Sequence, residues 1–256
     1  MAVVEKVPPL SAEQLTIAQT ELAALKERVI FPTGINTVLA HLYRERPDDD
    51  PTLPDKSSQI VGRAIAIGIE RGFFSEVMLV TDCSGLGLGP IAPRAERFIR
   101  GRLGEQPVEA EFIVRPEAQT TRHESEVFRR IVDERIEAGH QATHLIDIAL
   151  AAHIPRVRKA LAHPNAFGIA ADTIQVVSAE DIIMAYGKPE DIFFLAEQLL
   201  DPTYEGREQL EKGFVYRLAQ GPFGSILEWL ARKDTAKGLA DMVENAQTRQ
   251  RRLPTT

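Results

Sequence analysis

The sequence predicts an α/β fold: a Rossmann-like three-layer sandwich on a mostly parallel sheet, with a helical C-terminal region. Three observations point there. From about residue 57 to 177, short apolar runs alternate with amphipathic stretches, the signature of βαβ units. The run Val77-Met78-Leu79-Val80-Thr81 is apolar almost throughout, as a buried strand is, and it ends in a glycine-rich turn. Beyond Ser178 the strand signal fades while helical spacing continues. A chain of 256 residues with 44% hydrophobic content can bury a large core. The expected organisation is a Rossmann-like domain over 1–177, a helical extension over 178–248 and a polar tail over 249–256. Whether residues 1–55 supply the first strand is left open.

The elements follow in order. Leu15, Ile17, Ala18, Leu22, Ala23 and Leu25 recur at helical spacing, and Ser11 is placed to cap that helix. Arg28 to Gly34 reads as a short strand entering a glycine turn, although Pro32 argues against a central position. Residues 45–57, with Asp48-Asp49-Asp50-Pro51 and Pro54, read as an exposed loop. Ile60 to Gly72 has helical periodicity, and Val77 to Thr81 is the next strand. Pro93 suits the first position of a helix running to about Leu103. Glu111 to Val114 is a strand, and Thr121 to about Ala138 a helix with its apolar stripe at Val127, Phe128, Ile131, Val132 and Ile136. Leu145 to Leu150 is a strand and Arg156 to Ala162 a short helix. Phe167 to Ala171 or Ile174 to Val177 closes the sheet. Helices are expected over Pro189 to Leu200, Phe223 to Arg232 and Thr235 to Gln247.

Composition narrows the function classes. A formal charge of −7 argues against a general nucleic-acid binder, which needs an excess of Lys and Arg. Arg94, Arg97, Arg100 and Arg102 cluster on one predicted helix, as a solvated face or a local patch. The single cysteine, Cys83, excludes an intramolecular disulfide and a Cys-rich zinc site, which fits a reducing, cytoplasmic setting. No window approaches the roughly 20 apolar residues of a membrane helix. The expectation is a protein with neither membrane nor nucleic-acid partners.

Three polar clusters fall where strands should end and helices begin, which is where such sheets keep their ligand sites. The first is Ser84-Gly85-Leu86-Gly87-Leu88-Gly89, whose amides could cradle an anion. It lacks both the Rossmann glycine spacing and the Lys-Ser/Thr ending of a P-loop. The second is Thr120-Thr121-Arg122-His123-Glu124, where Glu124 follows Thr121 by three residues in the pattern of a capping box. The third is His153-Ile154-Pro155-Arg156. An Arg in the first turn of a helix opposes the helix dipole, so Arg156 calls for an anion: a ligand, or Asp147, Glu124 or Asp172 in an ion pair. No Ser-His-Asp constellation stands out, and Cys83 beside the turn reads as a packed small residue or a reactive thiol.

At these residues the chain resembles the YdcF-like family, which includes envelope-associated proteins of bacteria. The matching stretches are Leu79-Val80-Thr81-Asp82-Cys83-Ser84-Gly85, Thr120 to Glu124, and Ala151-Ala152-His153-Ile154-Pro155-Arg156. Gly34-Ile35-Asn36 is similar to the Gly-Asn turn that ends the family's first strand. His123 and Glu124 stand where the family has Glu and Asn. The resemblance implies a polar site at the carboxyl ends of the strands and no settled reaction. The ligand expected is small and anionic or nucleotide-like, with S-adenosylmethionine as a candidate cofactor. Gly34, Asn36, Ser84, Gly85, Thr120, Thr121, His153 and Arg156 are the expected ligand-binding residues. Two other readings stand beside it. One is metal-assisted phosphoester or pyrophosphate hydrolysis, with Asp82 or Glu124 holding the metal and His153 as acid or base. The other is a non-enzymatic partner-binding module using the C-terminal helices.

Overall fold

A computed structural model describes residues 12–43, 53–82, 91–104, 110–140 and 144–200. Twelve elements alternate along them: α1 (Ala12–Arg28), β1 (Asn36–Ala40), α2 (Lys56–Glu70), β2 (Glu76–Thr81), α3 (Ile91–Leu103), β3 (Glu111–Ala118), α4 (Thr121–Glu137), β4 (His144–Ala149), α5 (Ile154–Leu161), β5 (Gln175–Ser178), α6 (Ala179–Tyr186) and α7 (Pro189–Leu200). The strands form one parallel sheet in the order β3-β2-β1-β4-β5. The chain therefore winds outward from β1 to β3, crosses back, and continues on the other side from β4. The direction reverses between β1 and β4, where Val38 pairs with Ile146 and Ala40 with Ile148.

Both faces of the sheet are covered, so the fold is an α/β Rossmann-like sandwich. Val38, Ala40, Val77, Leu79, Ile146 and Ile148 pack with the apolar faces of α2, α3 and α6. Alternation sends Leu39, Met78, Val80 and Ala149 to the opposite face, against Val127, Phe128 and Ile131 of α4 and Val157 and Leu161 of α5. Leu195 of α7 joins the first cluster. Asp191, only 1% exposed, fastens α7: Arg63 of α2 reaches it at 2.8 Å, and Arg102 of α3 bonds the same oxygen. The Arg63 guanidinium also lies 3.8 Å over the Phe194 ring. Among the described residues, no helix is long and apolar enough to cross a membrane.

The first strand corrects the sequence reading. Arg28 to Gly34 forms no strand: α1 runs through Arg28, and of the apolar residues that follow Val29 and Phe31 fill the core while Ile30 is exposed. Phe31 packs against Phe73 and Phe74 with ring centroids 5.1 and 5.0 Å away. Pro32 has no N–H to give a ladder, and Gly34 turns the chain at φ 118° into a strand that starts at Asn36. Residues 1–55 thus supply the central strand. The expected loop ends early because Asp55 caps α2, accepting from the amides of Ser57 at 2.7 Å and Ser58 at 3.3 Å. β3 extends to Ala118, with a register shift opposite Leu79 and Thr81. Of the two candidates for the last strand, the later one forms. Gly168–Thr173 is a short 3-10 segment. Ser11, the turn from Cys83 to Gly89 and the two helices expected after residue 200 lie outside the described residues.

Candidate functional site

The carboxyl ends of β1, β2 and β4 meet the amino ends of α4 and α5. The centre of this edge is His41, the residue after β1. Its amide continues the ladder by donating to the Ile148 carbonyl at 3.0 Å, and the side chain is 1% exposed. Nδ1 lies 2.6 Å from Glu124 Oε2. Nε2 lies 3.0 Å from both oxygens of Asp147, with the hydrogen bond directed at Oδ2. Thr81, the last residue of β2, donates to the other Glu124 oxygen. One buried cluster therefore ties β1, β2, β4 and α4 together.

With carboxylates on both sides, the His41 ring can satisfy the pair only by donating from both nitrogens, as an imidazolium. Burial alone would lower its pKa. The Asp147 and Glu124 charges, with their hydrogen bonds, outweigh burial and push it up to about 10. Burial pushes Glu124 up, but His41, Thr81 and His153 bring it below the usual carboxylate range. For Asp147 burial wins over the pull of His41, with a contribution from the Glu124 charge, and its pKa is raised. Burying charges is costly, and a buried group is retained either when fully paired or when it serves a site.

Beside this cluster lies a second pair. Thr121, the first residue of α4, places Oγ1 3.0 Å from Nε2 of His153. His153 closes the 3-10 turn Ala151–His153 after β4 and stands at the N-cap position of α5. Its ring meets the Tyr43 ring edge-on at 5.3 Å and lies 6.1 Å from the His41 ring. Tyr43 in turn accepts the Leu150 amide at 3.0 Å, so the segments after β1 and β4 hold each other. Arg156 sits in the first turn of α5, half-buried. It makes no ion pair with Asp147, Glu124 or Asp172, and no other partner is found among the described residues. Asp147 and Glu124 are taken by His41.

The capping box does not form as the spacing predicts. Thr120, not Thr121, caps α4, accepting the His123 amide at 3.1 Å, and Glu124 turns inward to His41 rather than back to the helix end. Thr120→Ala is expected to cost about 1 kcal/mol, seen as a lower urea midpoint with an unchanged slope.

The structure gathers Thr120, Thr121, Glu124, His153 and Arg156 at one edge. Asp82 follows β2 at the same edge, its amide donating to the Ala118 carbonyl at 2.6 Å. Gly34 and Asn36 lie at the opposite, amino end of the sheet, about 13 Å away along β1. There the Asn36 amide group donates to the carbonyls of Pro32 at 2.9 Å and Phe73 at 2.6 Å, which makes it a loop clamp. The Gly-Asn match of the first strand therefore opens the strand instead of ending it. Ser84 and Gly85 lie outside the described residues. Among those described, no group of three His, Cys, Asp or Glu is arranged to hold a metal, and Glu124, proposed as a ligand, is committed to His41 and Thr81.

Sequence reasoning passed over His41 and weighed Asp147 only as an ion-pair partner for Arg156. Each is a titratable side chain inside a run of apolar residues, Val38 to Tyr43 and Leu145 to Leu150. A buried polar residue in a strand is the informative exception in a core, and that signal was present in both. Comparison with protein-family models, curated proteins and solved structures finds no match to this chain.

Proposed function

We propose that this edge binds a small anionic or nucleotide-like ligand, and that the protein is YdcF-like in the sense the sequence resemblance implies. The observation that carries this reading is the meeting of two helix amino ends through the Thr121–His153 contact, with Arg156 beside it and without an ion-pair partner among the described residues. Each helix end carries partial positive charge, and a cation in the first turn adds to it. An anion bound there relieves that accumulation. The location, at the strand-order reversal between β1 and β4, is where doubly wound sheets hold ligands. Three of the residues that carry the resemblance, Thr121, His153 and Arg156, belong to this cluster.

A thermal-shift screen of nucleotides, S-adenosylmethionine and phosphorylated metabolites tests the proposal, since a ligand that binds the folded chain raises its melting temperature whatever the reaction. Arg156→Ala is expected to weaken binding of the best compound roughly 10- to 100-fold, the value of one charge-assisted hydrogen bond. The ligand-free melting temperature should stay nearly unchanged, because Arg156 makes no ion pair or side-chain hydrogen bond among the described residues. A large melting-temperature loss with unaltered binding would count against the reading.

A further inference from the structure

We propose that Thr121 and His153 are a nucleophile and its general base, acting on small esters whose acyl part carries an anionic group. The substrate's anionic group rests on the binding role of Arg156 argued above, whereas the pair itself stands on its own geometry. The hydroxyl and the imidazole nitrogen are 3.0 Å apart, the distance at which a base takes a hydroxyl proton. Both residues are 6% exposed, so the pair is shielded from bulk water yet not sealed. Thr121 is held as the first residue of α4, where its carbonyl accepts from Ser125 at 3.1 Å. His153 is held by its amide bond to the Leu150 carbonyl at 2.8 Å and by the edge of Tyr43.

Two further features fit acyl transfer. The positive end of α4 lies beside Thr121, so an oxyanion formed there would be stabilised by the helix dipole. Below the pair, the Glu124–His41–Asp147 cluster sets two carboxyl groups against one imidazolium. Its surplus negative charge, with the two rings 6.1 Å apart, stabilises the imidazolium that appears on His153 during reaction. These three are positioning residues, because they act only through His153.

The chemistry balances without a redox partner. Thr121 Oγ1 bonds to the ester carbonyl carbon as its proton passes to His153 Nε2, and the carbonyl electron pair moves onto oxygen. The tetrahedral species expels the alcohol oxygen, which takes the proton from Nε2. Water then gives a proton to His153 and attacks the threonine ester, and the acid leaves as Thr121 regains its proton. Arg156 pairs with the anionic group of the acyl part.

The test uses p-nitrophenyl succinate, with p-nitrophenyl acetate for comparison. The full chain should release p-nitrophenol with an initial burst, and acid quenching followed by peptide mapping should find the succinyl group on Thr121. Thr121→Ser should still acylate, while Thr121→Val and His153→Gln should lose about 100-fold or more in rate. Arg156→Ala should reduce the preference for the succinate ester at least about tenfold. Among the described residues, the titratable and charged groups around His153 are Glu124 from α4, Asp147 from β4, His41 and Tyr43 from the segment after β1, Arg156 from α5, and Glu180 from α6, which accepts the Ala151 amide of the same turn. Asp147→Asn removes negative charge from this set, so the acid limb of the acylation–pH profile should move to lower pH; a merely structural role would lower the plateau and leave the limb in place. No release above buffer, or wild-type rates in Thr121→Val and His153→Gln, overturns the pair. Were Thr121→Val unfolded, acylation mapped to another residue of the wild-type chain would overturn it equally. No acylation together with an Arg156-dependent thermal shift refutes the catalytic role and leaves the binding site intact. Acylation of Thr121 with no ester preference refutes the anion site and leaves the pair.

Discussion

Replacing His41 with alanine is expected to destabilise the fold by about 3–5 kcal/mol, a large part of what holds a domain folded. The reason is the company that His41 keeps. Glu124 and Asp147 are buried almost completely, and the imidazolium between them is their common hydrogen-bond donor and counter-charge. Without it, two carboxyl groups share one dry site, and at least one must take a proton or admit water. In thermal unfolding the midpoint should fall by roughly 10 °C. A loss within about 1 kcal/mol would show that the cluster carries no such burden.

The same argument predicts how the loss can be recovered. A variant combining His41→Met, Glu124→Gln and Asp147→Asn removes every charge of the cluster at once, and it should regain most of the stability that His41→Ala loses. The coupling between these positions is the measurable quantity, because single substitutions leave partners stranded. Full recovery would mean that the cluster is kept for something other than stability, which fits its place beside Thr121 and His153.

The fold was legible in the sequence wherever local pattern and tertiary environment agree. The alternation from residue 57 onward gave β2 to β5 and the helices between them, with boundaries shifted by a few residues. β1 was misplaced because Val29, Ile30 and Phe31 are as apolar as Val38, Leu39 and Ala40, and only Pro32 separates a loop that enters the core from a true strand. His41 made the real strand look interrupted. Its burial depends on Glu124 and Asp147, 83 and 106 residues away, and no local pattern can announce partners at that distance. The meeting of Thr121 with His153 was legible as two clusters at one sheet edge, since the topology of parallel sheets brings such ends together. That Arg156 lacks an ion-pair partner among the described residues was not, because Asp147, Glu124 and Asp172 are all plausible partners until His41 is seen to hold two of them.

Raising the pH from about 6.5 toward 10 is expected to remove the stability that His41 contributes. Its pKa is near the ordinary 6.5 in the unfolded chain and about 10 in the folded one. The folded state therefore binds a proton more tightly, and the contribution is complete below 6.5 and lost as pH rises through the folded value. Within that window stability should fall by about 1.4 kcal/mol for each pH unit. The measurement is urea unfolding at several pH values across the window, for the wild type and for the variant that lacks all three charges. Lysines and tyrosines titrate alike in both, so the difference between the curves belongs to the cluster. The wild type should lose stability steadily relative to that variant as the pH rises, and a difference that stays flat would refute the imidazolium. The acid side is less decisive. The lowered pKa of Glu124 contributes stability above its ordinary 4.5 that is lost on acidification, whereas the raised pKa of Asp147 favours the folded state at low pH. These two opposing slopes partly cancel, so the alkaline limb is where the charge state of His41 can be read.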